Sequence, residues 1–265
     1  MPIFAYPSLF LPTAVLQGDT EAIRALLAQG VSTEADALGQ TPLYLAVEQG
    51  MLESVRLLAA VSSLEHVHPS TGFTALALAL RNKQLDCARA LLHAGADPNA
   101  RIATGKRPTV LMNLVREKRH SSAHFLLRFA NPDAQDDLGR TALHFAAQDD
   151  SAMVQKLLGA GANASIANHS GCTPLMMAAF HGKSAGVKCL LPVSDVHARD
   201  INGLAALDYA NSGHGNERIS ALLRERMLLL DRAALSRAVV EGAACPASDG
   251  AAHGRQPPRR RPRAL

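Results

Sequence analysis

Gly171-Cys172-Thr173-Pro174-Leu175-Met176-Met177-Ala178 decides the reading of this chain, because the same pattern recurs along it. It stands as Gly39-Gln40-Thr41-Pro42-Leu43-Tyr44-Leu45-Ala46, as Gly72-Phe73-Thr74-Ala75-Leu76-Ala77-Leu78-Ala79, and as Gly139-Arg140-Thr141-Ala142-Leu143-His144-Phe145-Ala146. The threonines are 33 residues apart from Thr41 to Thr74, 67 apart from Thr74 to Thr141, and 32 apart from Thr141 to Thr173. The copy missing from the double interval is Thr109-Val110-Leu111-Met112, whose upstream loop Gly105–Pro108 is two residues longer than the others. A fixed period of this length marks a stack of supersecondary units.

A second marker runs in phase with the first. Leucine pairs occur at Leu26-Leu27, Leu57-Leu58, Leu91-Leu92, Leu126-Leu127, Leu157-Leu158, Leu190-Leu191 and Leu222-Leu223. Seven pairs imply seven units. The first, beginning near Leu11, has lost its threonine, and the last, Gly203 to Ala210, carries Ala205 in its place.

The residue types explain the shape. A threonine hydroxyl accepts a bond from an orphan amide at a helix start, and Pro42 and Pro174 follow at the first helical position, where a missing N–H costs nothing. Small alanines at 46, 79, 146, 178 and 210 let neighbouring helices approach closely. Gly50, Gly182 and Gly213 are read as stops that tolerate positive φ. A second helix carries the leucine pair, with Val55 or Val154 on its apolar stripe. Asp97-Pro98-Asn99 and Asn163-Ala164 then open a turn toward the next unit. One helix pair cannot bury both faces, so stability comes from stacking.

These motifs resemble the ankyrin repeat, over about residues 9–229. The resemblance implies an all-α solenoid of about seven stacked helix–turn–helix units with β-turn fingers, ended by modified capping units. Residues 1–8 form a lead-in. Residues 216–241 continue in helical character, with Ile219, Leu222, Leu223, Met227, Leu230 and Ala234 on one stripe, and are expected to fold over the last unit as a cap. From 242 to 265 the Ala, Gly, Pro and Arg mixture has no periodicity and reads as disordered.

Charge narrows the function classes. Residues 242–265 hold five arginines against one acid, which accounts for the whole net charge of +4 and leaves the first 241 residues balanced. A nucleic-acid-binding body would show a basic face in its folded part, so nucleic acid is not the expected partner. Four scattered cysteines form no CxxC and read as reduced thiols, consistent with a cytoplasmic protein. Pro2–Leu16 is apolar but has no basic start, so it is not read as a signal peptide, and no apolar run is long enough for a membrane span.

No catalytic constellation is expected. The motif histidine His144 is assigned, by resemblance, to hydrogen bonding within and between units. His120 is expected to precede the second helix of unit four, away from His124, and no histidine cluster supplies a metal site. Asp136-Asp137 and Asp149-Asp150 read as solvated surface charge. No cofactor is implied.

The resemblance implies instead that fingers and first helices form a concave surface for another protein. The side chains expected to project there from the fingers are Leu38, Gln40, Phe73, Arg107, Arg140 and Ile201. From the first helices and their stops come Tyr44, Arg81, Arg116, Asp149, Phe180 and His181. Rings and arginines are the usual interface anchors, and Phe73 reads either as such an anchor or as a ring packed on a neighbouring finger. Unit four also gathers Arg101, Lys106, Arg107, Arg116, Lys118 and Arg119, which reads as a solvated face or as a match for an acidic partner segment. The expected role is that of a monomeric scaffold or adaptor. The alternative is a bacterial effector, or an immunity-type inhibitor that acts by binding a host or toxin protein.

Overall fold

Four of the five unit threonines do what their position demands in the computed structural model, which describes residues 10–213 and 217–242, with side chains from residue 11 to residue 237. Thr41, Thr74, Thr109 and Thr173 have extended backbone, and their hydroxyls accept from the amides of Tyr44, Ala77, Met112 and Met176 at 3.1–3.4 Å. Fourteen helices follow, in seven pairs, with no strand among the described residues. Units one to three are α1 (Phe10–Gln17) with α2 (Thr20–Ala28), α3 (Pro42–Glu48) with α4 (Leu52–Ala59), and α5 (Ala75–Arg81) with α6 (Leu85–His93). Units four and five are α7 (Val110–Arg116) with α8 (His120–Leu126) and α9 (Ala142–Asp149) with α10 (Ser151–Gly159). Units six and seven are α11 (Pro174–Phe180) with α12 (Ser184–Leu190) and α13 (Ala206–Ser212) with α14 (Glu217–Gly242).

First helices pack on first helices in sequence order, from α1 on α3 through to α11 on α13. Each is a short cylinder enclosed on most sides, so α3, α5 and α7 are apolar nearly all round and their residues are almost all buried. The small alanines Ala46, Ala79, Ala146, Ala178 and Ala210 are at most 2% exposed, which permits the close approach. Leu26 and Leu27 of the first pair are both half-buried. From each of the other six leucine pairs one member is fully enclosed: Leu58, Leu91, Leu126, Leu157, Leu190 and Leu223. The sheathed leucine is the second of its pair at Leu58 and Leu223 and the first elsewhere.

The stops differ from expectation in detail. Gly50 and Gly182 are left-handed, as are the lysines Lys83 and Lys118, which bear a Cβ into that region at φ 60° and 56°. Gly213 is not left-handed; its φ is −101°. It is glycine for space, since a Cβ there would lie 2.4 Å from the carbonyl oxygen of Phe180. Unit five has no left-handed stop. Asp150 is both the C-cap of α9 and the N-cap of α10, accepting from the Met153 amide at 3.0 Å.

The chain divides into two compact units at Arg226, a boundary that falls inside α14. The expected apolar stripe is buried at Ile219 and Leu223 and half-buried at Leu222, Met227 and Leu230, and only Ala234 at its far end is exposed. Leu228, Leu229 and Leu235, which stand off the stripe, are exposed, so burial follows the stripe as far as Leu230. The lead-in at 1–8 and the tail beyond 242 lie outside the described residues. No helix among the described residues is long and apolar enough to cross a membrane.

Candidate partner-binding surface

Four of the six fingers are built by one repeated device, and fingers three and four, with Pro69 and Thr104 in place of its Asp or Asn, lack it. Five residues before the unit's threonine, an Asp or Asn oxygen accepts two backbone amides and closes the turn. Asp36 takes the amides of Leu38 and Gln40, Asp136 those of Leu138 and Arg140, Asn168 those of Ser170 and Cys172, and Asp200 those of Asn202 and Leu204, all at 2.8–3.0 Å. Neighbouring fingers then join through the backbone. The amides of Ala103, Asp137, His169 and Ile201 donate to the carbonyls of Gly72, Lys106, Leu138 and Ser170 in the preceding finger, at 2.9–3.1 Å. Finger three joins finger two through the His66 ring, whose Nε2 lies 2.9 Å from the Gly39 carbonyl.

Asp136 corrects the reading of Asp136-Asp137 as solvated charge. Its side chain is fully enclosed and bonds the Arg140 guanidinium through Nε at 2.8 Å and a terminal nitrogen at 2.7 Å. Burial alone would raise its pKa, but the Arg140 side chain and the backbone amides outweigh it and hold the carboxyl below its ordinary value. Asp137 pairs with Arg101 at 3.1 Å.

Asp149 and Asp150 also do more than face solvent. Asp149 takes Lys118 of unit four on one oxygen and Lys183 of unit six, at 2.7 Å, on the other. Those two hydrogen bonds bring its pKa down to about 2. Asp150 Oδ2 lies 3.1 Å from Nδ1 of His120. His120 is the first residue of α8, not a residue ahead of it as expected. The first turn of a helix can begin directly after the left-handed Lys118 and the cap Arg119, which leaves no linker for His120 to occupy.

His144 bonds as assigned. Its Nδ1 accepts from the Thr141 amide at 3.1 Å and its Nε2 meets the Cys172 carbonyl of the next unit at 3.0 Å. Burial lowers its pKa, against the opposing pull of the Cys172 carbonyl and Asp136. Thr141 departs from its counterparts by engaging this ring rather than capping through a free hydroxyl. Among the described residues no group of three His, Cys, Asp or Glu could hold a metal ion.

The expected interface residues separate into three groups. Leu38 and Ile201 are 76% and 73% exposed at their fingertips, and Arg107, Arg116 and Asp149 of units four and five are exposed as well. Gln40, Arg81, Arg140, Phe180 and His181 are half-buried. Gln40 reaches Glu48 at 3.3 Å, Arg81 lies over the Phe73 ring at 5.0 Å and meets Glu117 at 3.5 Å, and Phe180 packs edge-on against His181 and Tyr209.

Tyr44 and Phe73 do not project and must be withdrawn from the contact surface. Tyr44 is 3% exposed, stacked on His68 at 4.5 Å with its hydroxyl 2.9 Å from Thr71 Oγ1. Phe73 is 8% exposed beneath Arg81. The Tyr44 ring lies where finger three of the next unit covers it, which a single unit's pattern does not reveal, and the Phe73 ring lies under Arg81 of its own unit.

The sequence reading also passed over Phe145. It occupies the variable position just before the motif alanine, is half-buried, and carries Arg140 over its face at 4.6 Å. That position is the motif's own free slot, so the signal was present. Finger four is the longest. Ile102 and Pro108 pair across it at 2.9 Å, and its tip turns through Gly105 at φ 55° and Arg107 at φ 47°.

Comparison with known proteins agrees with this architecture. The family described as Ankyrin repeats (3 copies) matches residues 11–102, 111–200 and 148–228. An ankyrin repeat-containing protein of Treponema pallidum (strain Nichols) is 34% identical over 135 residues, which is 50% of this chain and 45% of the relative. Human ankyrin repeat and SOCS box protein 3 is 32% identical over 175 residues, 64% of this chain and 34% of the relative. The chain thus spans less than half the length of these curated relatives. Among solved structures, the ankyrin repeat domain of Bcl-3 superposes with a TM-score of 0.71 at 31% identity, covering 81% of this chain and 97% of that one. A chain of the complex between the Bd0816 predatory endopeptidase of Bdellovibrio bacteriovorus and immunity protein Bd3460 gives a TM-score of 0.55 at 29% identity, covering 68% of this chain and 95% of that one. With the repeat and its fingers in place, the chain belongs to the ankyrin-repeat family.

Proposed function

We propose that this protein is a scaffold or adaptor that binds another protein through its finger face and performs no reaction itself. The observation that carries the reading is the row of fingers, four of them braced by Asp or Asn and fingers three to seven joined amide to carbonyl, whose outer tips present apolar Leu38 and Ile201 to solvent. Repeat stacks use such extended surfaces to engage partners, and a row already fixed in the unbound protein loses less ordering entropy on binding. A monomer acting in the cytoplasm is the simplest setting, with secretion as an effector the alternative. The full chain, immobilised beside a Leu38→Asp, Ile201→Asp variant, tests the reading by capture from the source cell. A partner retained by the first and lost by the second, both equally helical by circular dichroism, supports it. Equal capture by both refutes finger-face recognition.

A second reading is an immunity-type inhibitor that occupies a toxin or hydrolase. The observation favouring it is the likeness to a chain of the endopeptidase–immunity complex. Suppression by the purified chain of an enzyme encoded beside it would support this role.

A further inference from the structure

We infer that the cavity between fingers four and five receives an acidic segment of the protein partner, with a carboxylate between Lys106 and Arg116 and an apolar neighbour on Phe145. This deepens the proposed function and rests on it. The cavity is about 420 Å³ and opens on the finger face, between α7 and α9, with Lys106, Arg116, Arg140 and Phe145 in its wall.

The charge there is local. Between residues 100 and 140 lie eight Lys or Arg against four Asp or Glu, in a body whose remaining charge balances this excess. Four of the eight are answered within the fold: Arg101 by Asp137, Lys118 by Asp149, Arg119 by Glu117 and Arg140 by Asp136. Lys106, Arg107, Arg116 and Arg128 form no ion pair among the described residues. Arg128 follows α8, while the other three are on finger four or at the end of α7, so three of the four unanswered charges are concentrated at one edge of the cavity.

Two of the cations are held in place rather than trailing in solvent. A guanidinium nitrogen of Arg116 donates to Asn113 Oδ1 at 2.5 Å, and Asn113 is itself buried and donates to Glu117 at 3.1 Å. The acceptor is neutral, so the arginine is oriented without being neutralised and its remaining donors stay available for a forked carboxylate. Arg140 is fixed by Asp136 below and lies across Phe145. The half-buried Phe145 ring gives the site an apolar floor, which a phosphate would not use and an acidic peptide with a leucine or aromatic neighbour would.

Selection of random dodecapeptides on the full chain tests the inference, with the recovered peptides titrated against the full chain and against Lys106→Glu, Arg116→Glu. The expected result is enrichment of peptides with at least two Asp or Glu beside an apolar residue. Their affinity should fall roughly tenfold or more in the variant, and should weaken as salt is raised. Enrichment of neutral or basic peptides, no enrichment, or equal binding by the variant overturns the inference. So does competition by inorganic phosphate at the peptide's own concentration, which would mark a small-anion site. Neutral peptides that are lost on Leu38→Asp, Ile201→Asp would leave the finger-face reading standing while removing the acidic one. Acidic peptides indifferent to both variants would remove both.

Discussion

Asp136 is the place to test whether the fingers are built as described. Its carboxylate answers the Leu138 and Arg140 amides with one oxygen and the Arg140 guanidinium with the other, at zero side-chain exposure. Asp136→Asn keeps the amide acceptor and loses the charge. Asn168 already does the same work in finger six, so the expected loss is the charge-assisted part alone, about 1 kcal/mol. Asp136→Ala removes both functions. Two amides lose their acceptor and Arg140 loses its counter-ion. A buried pair broken on one side costs ~3–5 kcal/mol, but Arg140 is 27% exposed and can turn to water, so about 2–3 kcal/mol is expected. Urea titration followed by circular dichroism reads the difference, provided the slope with denaturant is common to all three proteins. The acid limb adds a second check. The folded pKa lies below the unfolded one, so this stabilisation is present above ~pH 4 and is lost as pH falls through the folded value. Equal midpoints for the alanine and asparagine variants would refute the bracing role, because they would mean that the two amides do not need the oxygen.

His144 should give the opposite test near neutrality. Burial depresses its pKa, so its contribution is present above the unfolded value of ~6.5 and declines toward the folded value, by at most about 1.4 kcal/mol per pH unit. A melting temperature that drops between pH 7.5 and 5.5, and drops less in His144→Gln, is the expected outcome. Gly213→Ala should cost ~1–3 kcal/mol through overpacking, and Phe180→Ala should not restore it, since the nearest atom is a backbone carbonyl. Lys83→Gly should raise stability by about 0.5–1 kcal/mol in the same urea titration by relieving a left-handed Cβ. Gly50→Ala, at φ 73°, should lower it by a similar amount or more.

The stack was legible because a period needs no knowledge of neighbours: each threonine, alanine and leucine reports its place within its own unit. Much of what was not legible depends on the next unit. Tyr44 sits at a register expected to face outward and is covered by His68 and Thr71 from the following finger. Phe73 is covered by its own unit's Arg81. Unit five, by lacking the left-handed residue after α9, places Leu157 16 residues after its threonine where Leu58, Leu91, Leu126 and Leu190 stand at 17, and only burial shows which leucine of a pair is enclosed. Asp136 shows the reverse case. Its position five before the threonine, shared with Asp36, Asn168 and Asp200, was visible in the repeat, but two adjacent acids invite the reading of a charged surface. Phe145 was overlooked because it stands where the motif imposes nothing, and that freedom is what lets a position serve a partner.

The amide-to-carbonyl contacts between fingers link each unit only to the one beside it, so the array can loosen from an end without releasing its middle. A partner lying across several tips would clasp together units that otherwise open independently. Its affinity would then depend on how many units are closed at once, and the bound protein would lose its end-fraying first. In that sense the row of fingers works as a ruler whose length is itself set by binding.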